Sequence, residues 1–207
     1  MATQVQPSLI RGPRGRHRQD FIEAGWQCWA TRGYDDITVE DVCRAAGMAK
    51  GSFYGYFRSK ADLLIALMQE DFADLELGIE DIELSYAGAV DRLLAFASLI
   101  HRHTNDPARS RVRLDCQQQV SIDPYFRSLF VDLTLDRRTR VAGWFSAGAA
   151  SGEFPPEIDA EGAATAFLAL CIGLSVQTQG RDAGFAWARI EAAVERMVIG
   201  FTIPCLS

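Results

Sequence analysis

The sequence predicts an all-α fold, with a three-helix helix-turn-helix domain at its N-terminal end and a larger helical domain behind it. Three observations predict it. Apolar residues recur at helical spacing along nearly the whole chain; Phe21, Gly25, Cys28 and Trp29, for example, fall on one helical face. No strand-like alternation of any length occurs, and neither does an internal repeat or a low-complexity tract. Within residues 16–57 the pattern breaks into three short helices with a tight glycine-containing turn between the last two, which is a helix-turn-helix layout.

Taken in order, the first helix ends at Gly33. The second begins at Thr38, whose hydroxyl can cap it, with Asp41 three residues on in the reciprocal position. Val39, Val42, Cys43 and Ala46 form its apolar face, and Gly47 ends it. A short segment, Lys50–Phe57, follows. Phe53 and Phe57 lie one turn apart and point inward, leaving Lys50, Ser52, Tyr54 and Gly55 on the other sides. Ser59 caps the next helix, with Asp62 at its third position, and this helix is expected to reach about Leu77. Longer helices are expected at about 88–104, 108–120, 123–150, 159–179 and 184–201. Pro107, Pro124, the run from Gly152 to Pro156 and the pair Gly180 and Gly184 separate them, and Asp159 reads as an N-cap.

The 207 residues are long enough for a real core, and at 48% hydrophobic and 23% charged their composition is that of an ordinary globular protein. The longest nearly apolar stretch, Ala163 to Val176, has 14 residues, short of the roughly 20 a membrane-spanning helix needs. Met1–Ile10 lacks the apolar core of a signal peptide. Cys28, Cys43, Cys116, Cys171 and Cys205 lie far apart and form no CxxC pair. A cytoplasmic protein with no membrane association is therefore expected. Charge is uneven: residues 1–60 carry nine basic and six acidic residues, while the rest of the chain carries the remaining 12 and 21. A basic end on an acidic body suggests that this end meets a polyanion. Both lysines of the chain, Lys50 and Lys60, lie there.

The stretch from Gly33 to Leu64 resembles the DNA-binding module of the TetR family of transcription regulators. Gly33-Tyr34, Thr38-Val39, Ala46-Gly47, Lys50-Gly51, Tyr54, Phe57, Lys60 and Leu63-Leu64 all sit at the family's spacing. The resemblance implies that Thr38, Val39, Lys50, Gly51, Ser52, Tyr54, Tyr56 and Lys60 contact double-stranded DNA. The residue chemistry agrees. A helix entering the major groove presents small or hydrogen-bonding groups near its N-terminus, and Lys50, Gly51 and Ser52 do so. Tyr54 and Tyr56 offer phenolic hydroxyls to phosphates. Lys60 sits at the first turn of a capped helix, where free amides also favour an anion, and Thr38 and Val39 open the supporting helix. Three residues depart from the family pattern: Ala49, where Ser or Thr is common, Gly55 within the segment, and Gly25, where Ala is usual.

The domain organisation read this way is a basic flexible arm at 1–15, the DNA-binding domain at 16–60 and a ligand-binding and dimerisation domain at 61–207. The stretch Ala163 to Val176 is apolar on every side, so a partner subunit is the expected cover for one face. Ala163, Ala166, Leu170, Gly173 and Leu174, with Trp187, Ile190, Val194 and Met197 of the last helix, are the expected dimer residues. The resemblance implies that these two helices form an intersubunit four-helix bundle. It also implies a cavity among the middle helices, for which Phe72, Phe96, His103, Cys116, Gln117, Phe126, Phe130, Trp144 and Phe167 are the candidate liners. The acidic body points weakly to a cationic effector, and Arg137, Arg138 and Arg140 read as a solvated face.

No cofactor or metal is expected: His101 and His103, two apart on a helix, diverge by about 200°. No paired catalytic constellation, HExxH or P-loop is present, so no enzyme is expected. A nonspecific DNA-compacting protein fits poorly with a net charge of −6. The expectation is a ligand-responsive transcriptional regulator, by resemblance a repressor. It would bind an inverted-repeat operator as a homodimer and be released by a small-molecule effector.

Overall fold

A computed structural model describes residues 13–104, 106–178 and 187–201, and among these every regular element is helical. Helix α1 (Pro13–Thr31) begins inside the expected arm, because a proline suits a first helical position, where its missing amide has no partner to lose. Residues 1–12 lie outside the described residues. A 3-10 turn, Tyr34–Asp36, leads to α2 (Val39–Ala45) and α3 (Lys50–Phe53). Thr38 caps α2 in the expected box: the Asp41 amide donates to its hydroxyl (3.2 Å), and its own amide donates to the Asp41 carboxylate (3.0 Å).

The turn between α2 and α3 is closed by Gly47 at φ +66°. The Met48 amide donates to the Cys43 carbonyl (2.9 Å) and the Gly47 amide to the Arg44 carbonyl (3.2 Å), which is the Schellman arrangement. A side chain is strained at this φ, so Gly47→Ala is expected to cost roughly 1 kcal/mol of stability. An unchanged denaturant midpoint would show that the turn does not need a glycine.

Helix α3 stops at Phe53, short of the expected Phe57, and the chain turns through Tyr54–Tyr56. Glycine is a poor helix residue, and a Cβ at Gly55 would lie 3.2 Å from the Ser52 carbonyl oxygen. Phe53 and Phe57 nevertheless both point inward, with ring centroids 5.4 Å apart.

Helix α4 (Lys60–Ser85), capped by Ser59, continues well past the expected end at Leu77. Its inward face carries on through Leu75, Ile79 and Ile82, all buried, and the helix runs through Gly78, where a Cβ would lie 2.8 Å from Leu99 of the next helix. The later helices fall close to expectation: α5 (Ala89–Thr104), α6 (Pro107–Ile122), α7 (Pro124–Ser151), α8 (Ala160–Thr178) and α9 (Trp187–Gly200). Asp159 caps α8 by accepting the Gly162 amide (3.1 Å). The amides that open α5 are capped from far along the chain, since Ala89 and Val90 both donate to the Glu153 carboxylate at 3.0 Å.

Two cores result, joined by α4. The head core gathers Phe21, Trp29, Ile37, Val42, Phe53, Phe57, Leu63 and Leu67. Gly25 lets α1 and α4 approach, because a Cβ there would lie 3.3 Å from Leu63 and Leu67. The body core holds Leu75, Ile79, Phe96, Val141, Phe145, Phe154, Phe167, Val194 and Val198. The sequence did not indicate that α6 docks against α1, placing Val112 and Cys116 in the head core, with Phe126 of α7 beside them.

Candidate nucleic-acid interface

The outer surface of the head is built from the N-terminal ends of α2, α3 and α4. In α2 the amide and hydroxyl of Thr38 are committed to the Asp41 carboxylate, the hydroxyl at 2.7 Å. Those bonds, the backbone one first, hold Asp41 well below the usual carboxylate range. The Val39 and Glu40 amides are left at the open end of the helix, pointing outward as the first amides of a helix do.

Helix α3 opens on Ala49, which offers no side-chain cap. Lys50, Gly51, Ser52 and Tyr54 are exposed, and Tyr54 stands edge-on to the buried Phe53 ring with centroids 5.5 Å apart. Space around Gly51 is open: a Cβ there would meet nothing within 4 Å. The Lys50 ammonium is paired with Glu40 of α2, and that bond raises its pKa. Tyr56 is half-buried, its ring 6.0 Å from Phe21.

Lys60 occupies the first turn of α4, but its ammonium is turned inward. It donates to the Tyr34 carbonyl (2.6 Å) and lies 4.1 Å from the centre of the Tyr34 ring. Burial pushes its pKa down. Sequence reasoning singled out neither Arg44 nor Arg58, both well exposed beside this surface and each ion-paired to an aspartate, Asp41 and Asp62. Their charge was the available signal.

The expected effector liners divide. Phe96, Trp144 and Phe167 do meet in the body core, with Phe96 5.9 Å from Trp144 and 6.0 Å from Phe167. Cys116 and Phe126 belong to the head core instead, because α6 packs on α1 and the Phe126 ring stands 6.3 Å from that of Tyr34; burial pushes the Cys116 thiol up to about 12. Gln117 is exposed on α6. Phe72 packs at the edge of the head core, and the Phe130 side chain lies outside the described residues. His103 bonds the buried carboxylate of Asp71 through Nε2 (3.2 Å). Arg137 and Arg140 are not a solvated face: they pair with Glu76 of α4.

The expected dimer residues divide as well. Ala163, Ile190 and Val194 are buried in their own subunit, because these sides of α8 and α9 complete the body core. Leu174 packs at the edge of that core and Leu170 is half-buried. Ala166, Gly173 and Met197 lie on outward sides, joined by Ala169 and Ile172, half exposed at 50%. The Trp187 side chain lies outside the described residues. Among the described residues no helix is long and apolar enough to cross a membrane.

Residues 21–67 match the family model described as bacterial regulatory proteins, tetR family, and residues 89–201 match the model described as BetI-type transcriptional repressor, C-terminal. The chain is 29% identical over 129 residues to the HTH-type transcriptional repressor AcnR of Corynebacterium glutamicum, a match covering 60% of this chain and 62% of AcnR. It is 28% identical over 181 residues to the transcriptional regulator AcuR of Cereibacter sphaeroides, covering 80% and 82%. The fold is shared with the fatty acid degradation regulator FadR of Bacillus halodurans, at a TM-score of 0.77 and 19% identity over 91% of this chain and 96% of that one.

Proposed function

Because this chain belongs to the TetR family of bacterial regulatory proteins, we propose that it is an effector-responsive repressor that binds an inverted-repeat operator as a homodimer. The observation that carries the reading is the outer surface of the head. There the short helix α3 projects Gly51 and Ser52 without obstruction, between the open amide ends of α2 and α4. In this reading α3 enters the major groove. The Val39 amide, Tyr54 and Tyr56 fix the register on phosphates. Lys50 exchanges Glu40 for DNA, and Lys60 holds Tyr34 in place. Thr38 contributes by positioning the amides of α2.

One head reads few base pairs, so a symmetric dimer reading two half-sites follows. The outward faces of α8 and α9, with Ala166, Ala169, Ile172, Gly173 and Met197, are the surface we assign to it. A small molecule bound in the body shifts the population toward a head spacing that no longer fits successive major grooves, about 34–36 Å apart. The protein acts in the cytoplasm, without a cofactor and without catalysing a reaction.

Selection of bound duplexes from a random pool at physiological salt tests this. Enrichment of an inverted repeat, bound by a species of twice 22.9 kDa in light scattering, is expected. Sequence-blind retention set only by salt, or a monomer on the selected site, would overturn it.

A further inference from the structure

Where the head meets the body, Asp71 of α4 is completely buried. Its two carboxylate oxygens accept from Arg113 Nε (2.6 Å) and Nη2 (2.7 Å), Arg109 Nη1 (3.3 Å) and His103 Nε2 (3.2 Å). One turn along, the Glu76 carboxylate accepts from Arg140 at 2.8 Å. These two acids leave part of the arginine set unanswered. Arg113 Nη1 is buried with no hydrogen-bond partner. Arg137, 9% exposed, keeps Nε and Nη2 buried and outside hydrogen-bonding geometry, with Glu76 3.5 Å from Nη2 balancing its charge. The face of Phe72 lies 4.9 Å from the Arg137 guanidinium carbon.

We propose that the effector is a small carboxylate, held by the unanswered N–H groups of Arg113 on α6 and Arg137 on α7 beside the ring of Phe72. A guanidinium only donates, so what completes these two groups must accept. Its fork matches a carboxylate in two parallel bonds. A cationic head group would meet like charge, the reverse of the weak indication from the body's net charge. Burial makes unbonded donors costly in the free protein, and the same burial makes an arriving acceptor effective.

The inference rests on the effector-responsive reading and adds its route to the head. Arg113 shares α6 with Asp115, whose carboxylate accepts the Tyr34 amide (2.9 Å), and with Arg109, which lies 5.2 Å from the centre of the Trp26 ring. A carboxylate drawing on Arg113 therefore acts on the helix that grips the head.

Titration calorimetry of the full chain with benzoate, benzamide and benzylammonium, at matched ionic strength, tests the proposal. Benzoate is expected to saturate, and the other two to bind at least about tenfold more weakly. Arg137→Gln should weaken benzoate about tenfold or more, and so should Arg137→Lys, which keeps the charge but loses the fork, with circular dichroism confirming the fold. Equal binding of benzoate and benzamide, no binding of benzoate, or benzoate binding untouched in a folded Arg137 variant would overturn it. Retention of the selected operator by the same preparation, without any carboxylate, keeps the two readings apart. Operator binding without benzoate binding sinks the carboxylate alone, and benzoate binding without sequence-specific retention sinks the regulator alone.

Discussion

Asp71→Ala is expected to destabilise the fold by about 3–5 kcal/mol, because it leaves buried positive charge without its counter-ion. The side chain is completely buried and joins three elements: α4, which carries it, α5 through His103, and α6 through Arg109 and Arg113. A loss of that size is a large part of the 5–15 kcal/mol that typically separates a folded domain from its unfolded chain. The same site sets an acid limit. Burial alone would raise the Asp71 pKa, but the hydrogen bonds and charges of His103 and Arg113 outweigh it and hold the group at about 2. A carboxyl depressed in the folded state favours folding above its unfolded pKa, near 4, and that contribution disappears as the pH falls through about 2. It amounts to about 2 kcal/mol. Urea unfolding at pH 7 and at steps between pH 5 and 2 would measure both effects. In Asp71→Asn the baseline drops and this part of the acid dependence vanishes. A loss below about 1 kcal/mol at pH 7, or an unchanged acid limb, would mean that the cluster reorganises around the missing charge.

This cluster was invisible in the sequence for a physical reason. An aspartate on a helix reads as solvated, and its partners His103 and Arg113 lie 32 and 42 residues away. The expectation of a solvated face for Arg137 and Arg140 fails on the same ground, since only tertiary packing decides whether an arginine meets water or a carboxylate. The head was legible because its signals are local. A cap and its reciprocal acid stand three residues apart, Gly47 marks a positive φ, and Phe53 and Phe57 share a face one turn apart. Cys116 and Phe126 are candidate liners of a cavity in the body, yet nothing in the sequence tells that they enter the head core instead. In α8, apolar on all sides, composition could not say that Ala164, Phe167 and Cys171 face the body while Ala166, Ala169 and Ile172 face away. Nor does the sequence show the pairing of Lys60 with Tyr34, 26 positions apart.

Gly51→Glu should separate folding from DNA recognition more cleanly than any other change in the head. In the free protein an added Cβ at this position meets nothing within 4 Å, and the residue is exposed in the first turn of α3. Glutamate forms helix better than glycine, by roughly 0.5–1 kcal/mol, and an acid near a helix N-terminus is favoured, so the melting temperature should hold or rise. Against DNA the same side chain is wrong twice. On the proposed docking it fills the space through which the α3 backbone approaches the groove, and it sets a carboxylate among phosphates beside the adjacent Lys50, competing for that ammonium as Glu40 already does. A loss of about 100-fold or more in affinity for the selected operator is expected, read by fluorescence anisotropy at fixed salt. Gly51→Lys and Gly51→Ala divide the effect between bulk and charge. The lysine variant should keep or gain sequence-blind affinity, with a steeper salt dependence, while losing preference for the operator. The alanine variant should lose least, because a methyl group adds little bulk. If all three variants bind the operator as the parent does, with the fold intact, then α3 does not enter the groove, and the head must meet DNA through the open ends of α2 and α4 instead.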